Sequence, residues 1–526
     1  MTVDEREFAH LPAFEQGMPQ GALARVLARV EAAFESGDDE LSAELIERHT
    51  LACIFGLPPT RLAEMLDALL RRGTRRDVML RALQVVAFQP ERSLIDEVPP
   101  IPDMRQTVGA DFDDFVRLES VIKVRLAGRP VEALRAAAET EKRMTVMPHQ
   151  AMQHGWGAYF ALQYGTAQML AGDFSAALVS FTEARMHFTP PELLFLTRQA
   201  CVKAALLESL FGDEDRARSL LDEVDRLPRL GSWLEADRGA AYGIAASRVR
   251  SSGPDEALRM LTEVPLRSLG ELWPFYAHAV QRARIGVQDV AGALHELETL
   301  AQLPLPLVEG QGFTGSALPL AIGMTALIRG DLSEARRRFA LADQGIAATR
   351  LLTAVLDVRA GRPDRALRIA AETMPSTRGL RFLELWRLAA IAHAHYALGE
   401  IEPCVEALGA AMAMPGGVRP REARSFSEEL RDLARSRFDG WPSEDAMEGA
   451  GGALFSNPDD PLTERELELV RALAAGLTRE QIAREHYISI NTLKSHLRSI
   501  YRKLGVNSRS GAVLAATQRG LFSEAA

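Results

Sequence analysis

The stretch Leu170–Ala184, "LAGDFSAALVSFTEA", decides the fold of this chain. Apolar residues recur at helical spacing before its glycine, in "ALQYGTAQMLA", and again after it, in "AALVSFTEA". That order predicts a helix, a glycine C-cap in left-handed geometry at Gly172, and a second helix. The alanine after the turn is small enough to let the two helices approach closely.

The same order recurs along the chain: "GRPVEAL" at Gly128, "GDEDRAR" at Gly212, "GPDEAL" at Gly253, "GVQDVAGAL" at Gly286, "GDLSEAR" at Gly330, "GRPDRAL" at Gly361 and "GEIEPCVEAL" at Gly399. The shortest step is 31 residues, Gly330 to Gly361, and the longest 44, as from Gly128 to Gly172. Eight recurrences with the same sequel argue against an irregular helical domain with chance loop glycines. One such helix pair buries too little apolar surface alone, so consecutive pairs are expected to stack into an α-solenoid. "LAGDFSAALVSFTEA" resembles the tetratricopeptide repeat at its turn and second helix, which makes residues 101–435 a tetratricopeptide-like array. Residues 1–100, with "LARVLARVEAAFESG" and "TRLAEMLDALLRRG", read as a helical region that fits the repeat less well and is a candidate cap. The proline-rich "LIDEVPPIPDMRQTVGADFDDF" reads as a connection, and "LPLPLVEGQGFTGSALPL" (303–320) interrupts the array with a glycine-rich loop.

Composition bounds the function. The 526 residues are 47% hydrophobic and 25% charged, with a net charge of −10, as for a globular chain of several domains or a long repeat array. Cys53, Cys201 and Cys404 match no zinc or CxxC spacing and read as buried free thiols. The acidic "MTVDEREFAH" lacks the order of a signal peptide, and no apolar run suits a membrane span, so a cytoplasmic protein without membrane contact is expected. No G-x-x-x-x-G-K-[ST], HExxH or GxSxG is present, nor the strand–helix alternation of a receiver domain. The acids of "GDDEL" at Gly37 fall within a helical pattern and read as a solvated face. No catalytic residues, metal ligands or cofactor are expected, and the chain does not read as an enzyme.

Charge is distributed unevenly. From Pro461 onward ten Lys plus Arg stand against six Asp plus Glu, while residues 1–460 hold 51 against 65. Of only five lysines in the chain, Lys494 and Lys503 fall in "ISINTLKSHLRSIYRKLG" (488–505), which has no acidic residue. The preceding stretch 436–460 is rich in glycine, small residues and acids, and reads as a flexible linker. Within 461–526, Thr463 with Glu466 and Thr478 with Gln481 form capping boxes, Ser489 caps a third helix, and Gly476 and Gly505 end helices, which predicts four helices. On the third, Leu493, Leu497, Ile500 and Leu504 share one face, with Asn491, Lys494, Ser495, Arg498 and Arg502 opposite. The second helix, "TREQIAREH", precedes it by the short "YIS", the arrangement of a helix-turn-helix whose second member enters the DNA major groove. Lys494 and Arg498 can then reach guanine, Asn491 and Ser495 other base edges, and Thr478, Thr492 and Arg502 phosphates.

"LTERELELVRALAAGLTREQIAREHYISINTLKSHLRSIYRKLGV" resembles the LuxR-type helix-turn-helix nearly without gaps. The landmarks are Leu462, Thr463, Arg465, Glu466, Gly476, Ile482, Ala483, Ile488, Ser489, Thr492, Lys494, His496, Leu497, Tyr501, Lys503, Leu504 and Gly505. By position, the resemblance implies that Lys494, Ser495 and Arg498 face bases and that Thr492 and Lys503 lie near phosphates. His486 departs from the family's aliphatic residue. Gly511 stands where Glu or Gln would complete a capping box with Ser508, which weakens the last helix. The whole resembles MalT-type regulators, whose repeats precede the helix-turn-helix, without their nucleotide-binding domain.

The expected function is a bacterial transcriptional regulator. The tail binds double-stranded DNA as a homodimer, the repeats take a small-molecule or protein effector, and RNA polymerase is a further partner. A rival reading is a repeat scaffold whose tail makes protein contacts. For the effector, "MPHQAMQHGWGAYFALQYG" gathers His149, His154, Trp156, Tyr159, Phe160 and Tyr164. Met152, Trp156, Tyr159 and Phe160 share a helical face, as in a repeat core, whereas Trp156, His154, Tyr159 and Tyr164 could line a pocket here or beside the Gly310–Gly315 loop.

Overall fold

The computed structural model describes residues 19–76, 80, 83, 121–144, 154–235, 238–266, 269–443, 462, 464–488, 490–504, 506 and 508–518. Side chains are described for these except 138–144, 238, 464, 491, 495, 498, 499, 502, 503 and 518. Every regular element among the described residues is a helix. Four come first, α1 (Gly21–Glu35), α2 (Asp39–Arg48), α3 (Thr50–Gly56) and α4 (Pro59–Arg72). After helical residues 121–126 follow α5 (Pro130–Met144), α6 (Trp156–Ala171), α7 (Phe174–Met186), α8 (Leu194–Phe211) and α9 (Glu214–Arg226). Next are α10 (Arg238–Val249), α11 (Pro254–Thr262), α12 (Trp273–Gly286), α13 (Val290–Ala301), α14 (Gly312–Ile328) and α15 (Leu332–Ala340). Then come α16 (Ala347–Arg359), α17 (Pro363–Thr377), α18 (Arg381–Ala397), α19 (Ile401–Met412) and α20 (Glu428–Arg437). The tail holds α21 (Glu464–Ala474), α22 (Arg479–Glu485), α23 (Ile490–Leu504) and α24 (Arg509–Gln518).

Each of the eight glycine turns lies between two successive helices, and the residues around it explain why. Where the turn reads Gly-Asp, the aspartate caps the second helix: Asp173 accepts from the Ala176 amide (3.2 Å), Asp213 from Asp215 (2.8 Å) and Asp331 from Glu334 (2.9 Å). Where it reads Gly-Arg-Pro, Pro130 or Pro363 takes the first helical position, where no amide hydrogen is needed. The alanine after each turn, from Ala133 to Ala407, is buried, and the most open of the eight is 7% exposed. Five turns close in left-handed geometry, at Gly128, Gly172, Gly330, Gly361 and Gly399. The expectation of that geometry does not hold at the other three. Gly212 has φ −113° and Gly253 is extended, both leading directly into capped or proline-started helices. Gly286 is itself the last residue of α12, and Gln288, two residues on, takes the positive φ (65°) instead.

Two units divide the chain: 1–283 with 299–318 and 378–381, and 284–298 with 319–377 and 382–526. In the first, the rings of Phe174, Phe211, Phe275 and Phe313 pack together, with Phe174 stacked on Phe211 at 4.2 Å. The N-terminal helices dock against a segment distant in sequence. Phe55 packs on Tyr159, Phe195 and Trp233, while the Trp233 indole donates to the Ile54 carbonyl (2.6 Å) and the Gln20 amide to the Leu230 carbonyl (2.8 Å). The loop after α13 folds back on the earliest turns. A Cβ on Gly128 would stand 2.4 Å from the Pro306 carbonyl carbon, and one on Gly312 3.0 Å from the Ala171 Cα. In the second unit, α18, α19 and α20 share a core of Leu385, Leu388, Cys404, Leu408, Phe426 and Leu430. Trp441 belongs to that core and packs on Phe426. Residues 436–441, expected to open a linker, therefore fold with this core, because Phe438 and Trp441 supply the apolar surface that their small and acidic neighbours obscure.

Arginine has a recurring role as a cap on helix ends. Arg198 donates to the Leu227 carbonyl (2.9 Å), Arg282 to Leu210 (2.8 Å) and Arg359 to Leu327. A guanidinium fork satisfies carbonyls left open in a last helical turn and is favoured at the negative end of the helix dipole.

Candidate nucleic-acid interface

The tail's four helices enclose a small core. Leu469, Val470 and Leu473 of α21, Ile482 and Ala483 of α22, Leu493, Leu497, Ile500 and Leu504 of α23, and Ala512 and Ala516 of α24 are all buried. The four apolar residues of α23 are at most 4% exposed, as its periodicity predicted. Burying each of them stabilises the tail by about 2 kcal/mol, which fixes the opposite face of α23 outward. Lys494 stands exposed on that face. Thr492 and His496 are half-buried and hold interactions within the fold.

Local capping sets the angle of α22 to its neighbours. The Thr478 hydroxyl accepts from the Gln481 amide (3.3 Å), and Gln481 returns a bond from the Thr478 amide (2.7 Å), completing the expected box. Thr478 is exposed. Gly476, at φ 85°, ends α21. At the last helix Ser508 accepts from the Gly511 amide (3.1 Å), the half box that a glycine permits. Thr463, Ser489 and Gly505 lie outside the described residues, as do the side chains of Asn491, Ser495, Arg498, Arg502 and Lys503.

Two arginines not assigned a structural role from the sequence tie the helices together. Arg465 pairs with Glu468 (2.7 Å) and donates to the His486 carbonyl (2.6 Å), joining α21 to the turn before α23. Arg509 donates to the Leu473 carbonyl (2.9 Å), joining α24 to the end of α21. Their use as helix-end caps could have been anticipated only from the same pattern in the repeats. The structure also exposes two residues that the sequence reading passed over: Tyr487 in the turn, 96% exposed, and Ile490 at the start of α23, 37% exposed.

The four residues considered for an effector do not form one open cluster. Tyr159 is 5% exposed and its ring lies 5.4 Å from Phe55, so it is part of the core that holds the N-terminal helices. Phe160 is buried too, while Trp156 is half-buried between both rings. Tyr164 packs at the edge of the Val121, Ala133 and Ala137 cluster, and His154 is exposed at the turn before α6. His149 and Met152 lie outside the described residues. The Gly310–Gly315 loop is closed on itself, with the Gly310 amide bonded to the Gly315 carbonyl (3.4 Å). All three cysteines are buried, and burial pushes the Cys53 and Cys201 thiols up to about 12 and Cys404 to about 11. Such thiols are poor nucleophiles and poor metal ligands at neutral pH.

Residues 460–516 match the family described as "Bacterial regulatory proteins, luxR family". The tail is thus a LuxR-type helix-turn-helix domain. Among curated proteins, the chain is 46% identical over 102 residues to "Nitrate/nitrite response regulator protein NarP" of Escherichia coli (strain K12), covering 19% of this chain and 40% of that one. It is 53% identical over 60 residues to "Probable transcriptional regulatory protein SgaR" of Hyphomicrobium methylovorum, covering 11% and 28%. It is 47% identical over 62 residues to "Transcriptional regulatory protein YdfI" of Bacillus subtilis (strain 168), covering 12% and 29%. The chain spans less than half the length of these relatives.

Proposed function

We propose that this chain is a bacterial transcriptional regulator whose tail reads double-stranded DNA and whose helical repeats receive an effector. The observation that carries the reading is the LuxR-type match over 460–516, which coincides with a helix that buries Leu493, Leu497, Ile500 and Leu504 and exposes Lys494. In this reading α23 enters the major groove, Lys494, Ser495, Arg498 and Asn491 contact bases, and Thr478, Thr492, Arg502 and Lys503 contact phosphates. The relatives named as transcriptional regulators support the same reading. A recognition helix reads few base pairs by itself, so the bound form is a homodimer on a two-fold-related site.

The proposed organisation is a helical N-terminal region over 1–100, tetratricopeptide-like repeats over 101–435 in the manner of MalT-type regulators, and the DNA-binding module over 461–526. The repeats take a small molecule or a protein partner, the DNA-bound form meets RNA polymerase, and the protein acts in the cytoplasm without catalysing a reaction. No helix of the described residues is long and apolar enough to cross a membrane.

The test is binding of the full-length protein to a random-sequence duplex across a salt titration. Phosphate neutralisation makes log affinity fall linearly and steeply with log salt. A flat response, or no binding at low salt, would reject the proposal in favour of a scaffold whose tail makes protein contacts.

A further inference from the structure

Nine helix ends whose cap residue is among the described residues close with the same bond, in which the amide after the cap residue reaches the carbonyl five positions earlier. The cap residue is glycine at seven of them: Gly37, Gly128, Gly172, Gly330, Gly361, Gly399 and Gly476. Gln288 is one exception and Tyr487 the other, with φ of 65° and 54°. At Tyr487 the bond is complete, from the Ile488 amide to the Ala483 carbonyl (3.0 Å), so the backbone there is a regular cap carrying a bulky side chain. A large side chain in this conformation is strained. Its ring is 96% exposed and offsets none of that strain by burial. The fold pins the turn from the other side, where Arg465 holds the His486 carbonyl. Tyr487 therefore projects from a fixed point at the entry to α23, beside exposed Arg484 and Glu485, about one turn before exposed Ile490 and two before exposed Lys494.

We propose that Tyr487 is a DNA-backbone contact, its phenol O–H donating to a phosphate oxygen at the edge of the groove that α23 enters. This rests on the DNA-binding reading above and deepens it. The chemistry suits the place. Tyrosine is among the side chains that fix register through phosphates, and a neutral donor tolerates the adjacent Glu485 carboxylate while removing no counterion charge of its own. The contact positions the helix and adds affinity on every sequence alike.

The experiment uses the full-length protein and a random-sequence duplex, with the wild type, Tyr487→Phe and Tyr487→Gly measured across a salt titration and in thermal melts. Tyr487→Phe keeps ring and backbone, and should weaken binding roughly tenfold, as for loss of a hydrogen bond to a charged group. The slope of log affinity against log salt should stay unchanged, because no cation is lost. Tyr487→Gly should bind at least as weakly while melting higher, since it relieves the left-handed strain. Wild-type binding that both variants match, as would follow if Tyr487 served a protein partner instead, overturns the inference and leaves the DNA reading standing. A Tyr487→Gly variant that melts no higher overturns it as well, by removing the strain on which it stands. Absence of salt-dependent binding by the wild type sinks the DNA reading itself, and the contact with it.

Discussion

Substituting alanine at Gly128 and at Gly37 separates two costs that glycine avoids. Both residues have φ of 77° and both belong to the same unit, but they differ in what surrounds them. Nothing lies within 4 Å of a Cβ built on Gly37. On Gly128 the same atom would meet the Pro306 carbonyl carbon at 2.4 Å, and the Leu307 nitrogen and Pro306 oxygen at 2.5 Å. Gly37→Ala should therefore cost only the left-handed strain, about 1 kcal/mol. Gly128→Ala adds a collision with backbone, which has no rotamer to yield, so the 303–310 loop must retreat by roughly 1 Å at an overpacking cost of about 1 to 3 kcal/mol. The expected difference between the two variants is thus about 1 to 3 kcal/mol in denaturant unfolding. Amides near Leu307 should also exchange faster in Gly128→Ala alone. Equal destabilisation of the two variants within about 0.5 kcal/mol would refute the close fit of the returning loop.

Other outcomes follow from the same reasoning. In the DNA-binding assay on a selected site, Lys494→Ala and Arg498→Ala should each lower specific affinity by about 1 to 3 kcal/mol, whereas Lys503→Ala should weaken all sequences alike and reduce the salt slope by about one; three unchanged titrations would overturn the recognition-helix assignment. Burial drives the His393 pKa down to about 3, with the Arg431 charge assisting, and its Nε2 accepts from the Ser427 amide (3.3 Å). The folded pKa lies below the ordinary value near 6.5, so stability should be level above that pH. It should fall on acidification toward 3, by on the order of 4 kcal/mol, in pH-dependent unfolding; His393→Gln should flatten that fall, and an unaltered profile counts against it. Tyr159→Ala should cost about 3 to 5 kcal/mol by calorimetry, and a fully stable variant would mean that its ring is not core. The three thiols should stay unmodified by a thiol reagent until denaturant is added, and prompt native labelling of any of them contradicts its burial.

The helix pairs were legible because their signals are local. A glycine, often with an aspartate or proline close after it, and an alanine four to eight residues on all lie within one short stretch, and all eight alanines are buried. The face of α23 was legible for the same reason: Leu493, Leu497, Ile500 and Leu504 need only helical periodicity to be placed inside. Long-range packing left no such trace. Nothing within α3 indicates that Phe55 meets Tyr159, and without that partner the aromatic run around Trp156 admits a pocket as readily as a core. Positive φ outside glycine was also unreadable. Gln288 and Tyr487 adopt it because the surrounding cap hydrogen bonds impose it, not because their own side chains prefer it.

The docking of α3 onto Phe195 and Trp233 has a consequence during synthesis. The ribosome completes Phe55 long before Trp233, and at about 5 to 20 residues per second the intervening chain takes roughly 10 to 40 s to appear. For most of that interval α1 to α4 are already synthesised, while Trp233, part of the surface they finally cover, is not. The nascent chain is then most open to aggregation, and most in need of a chaperone, in its first half.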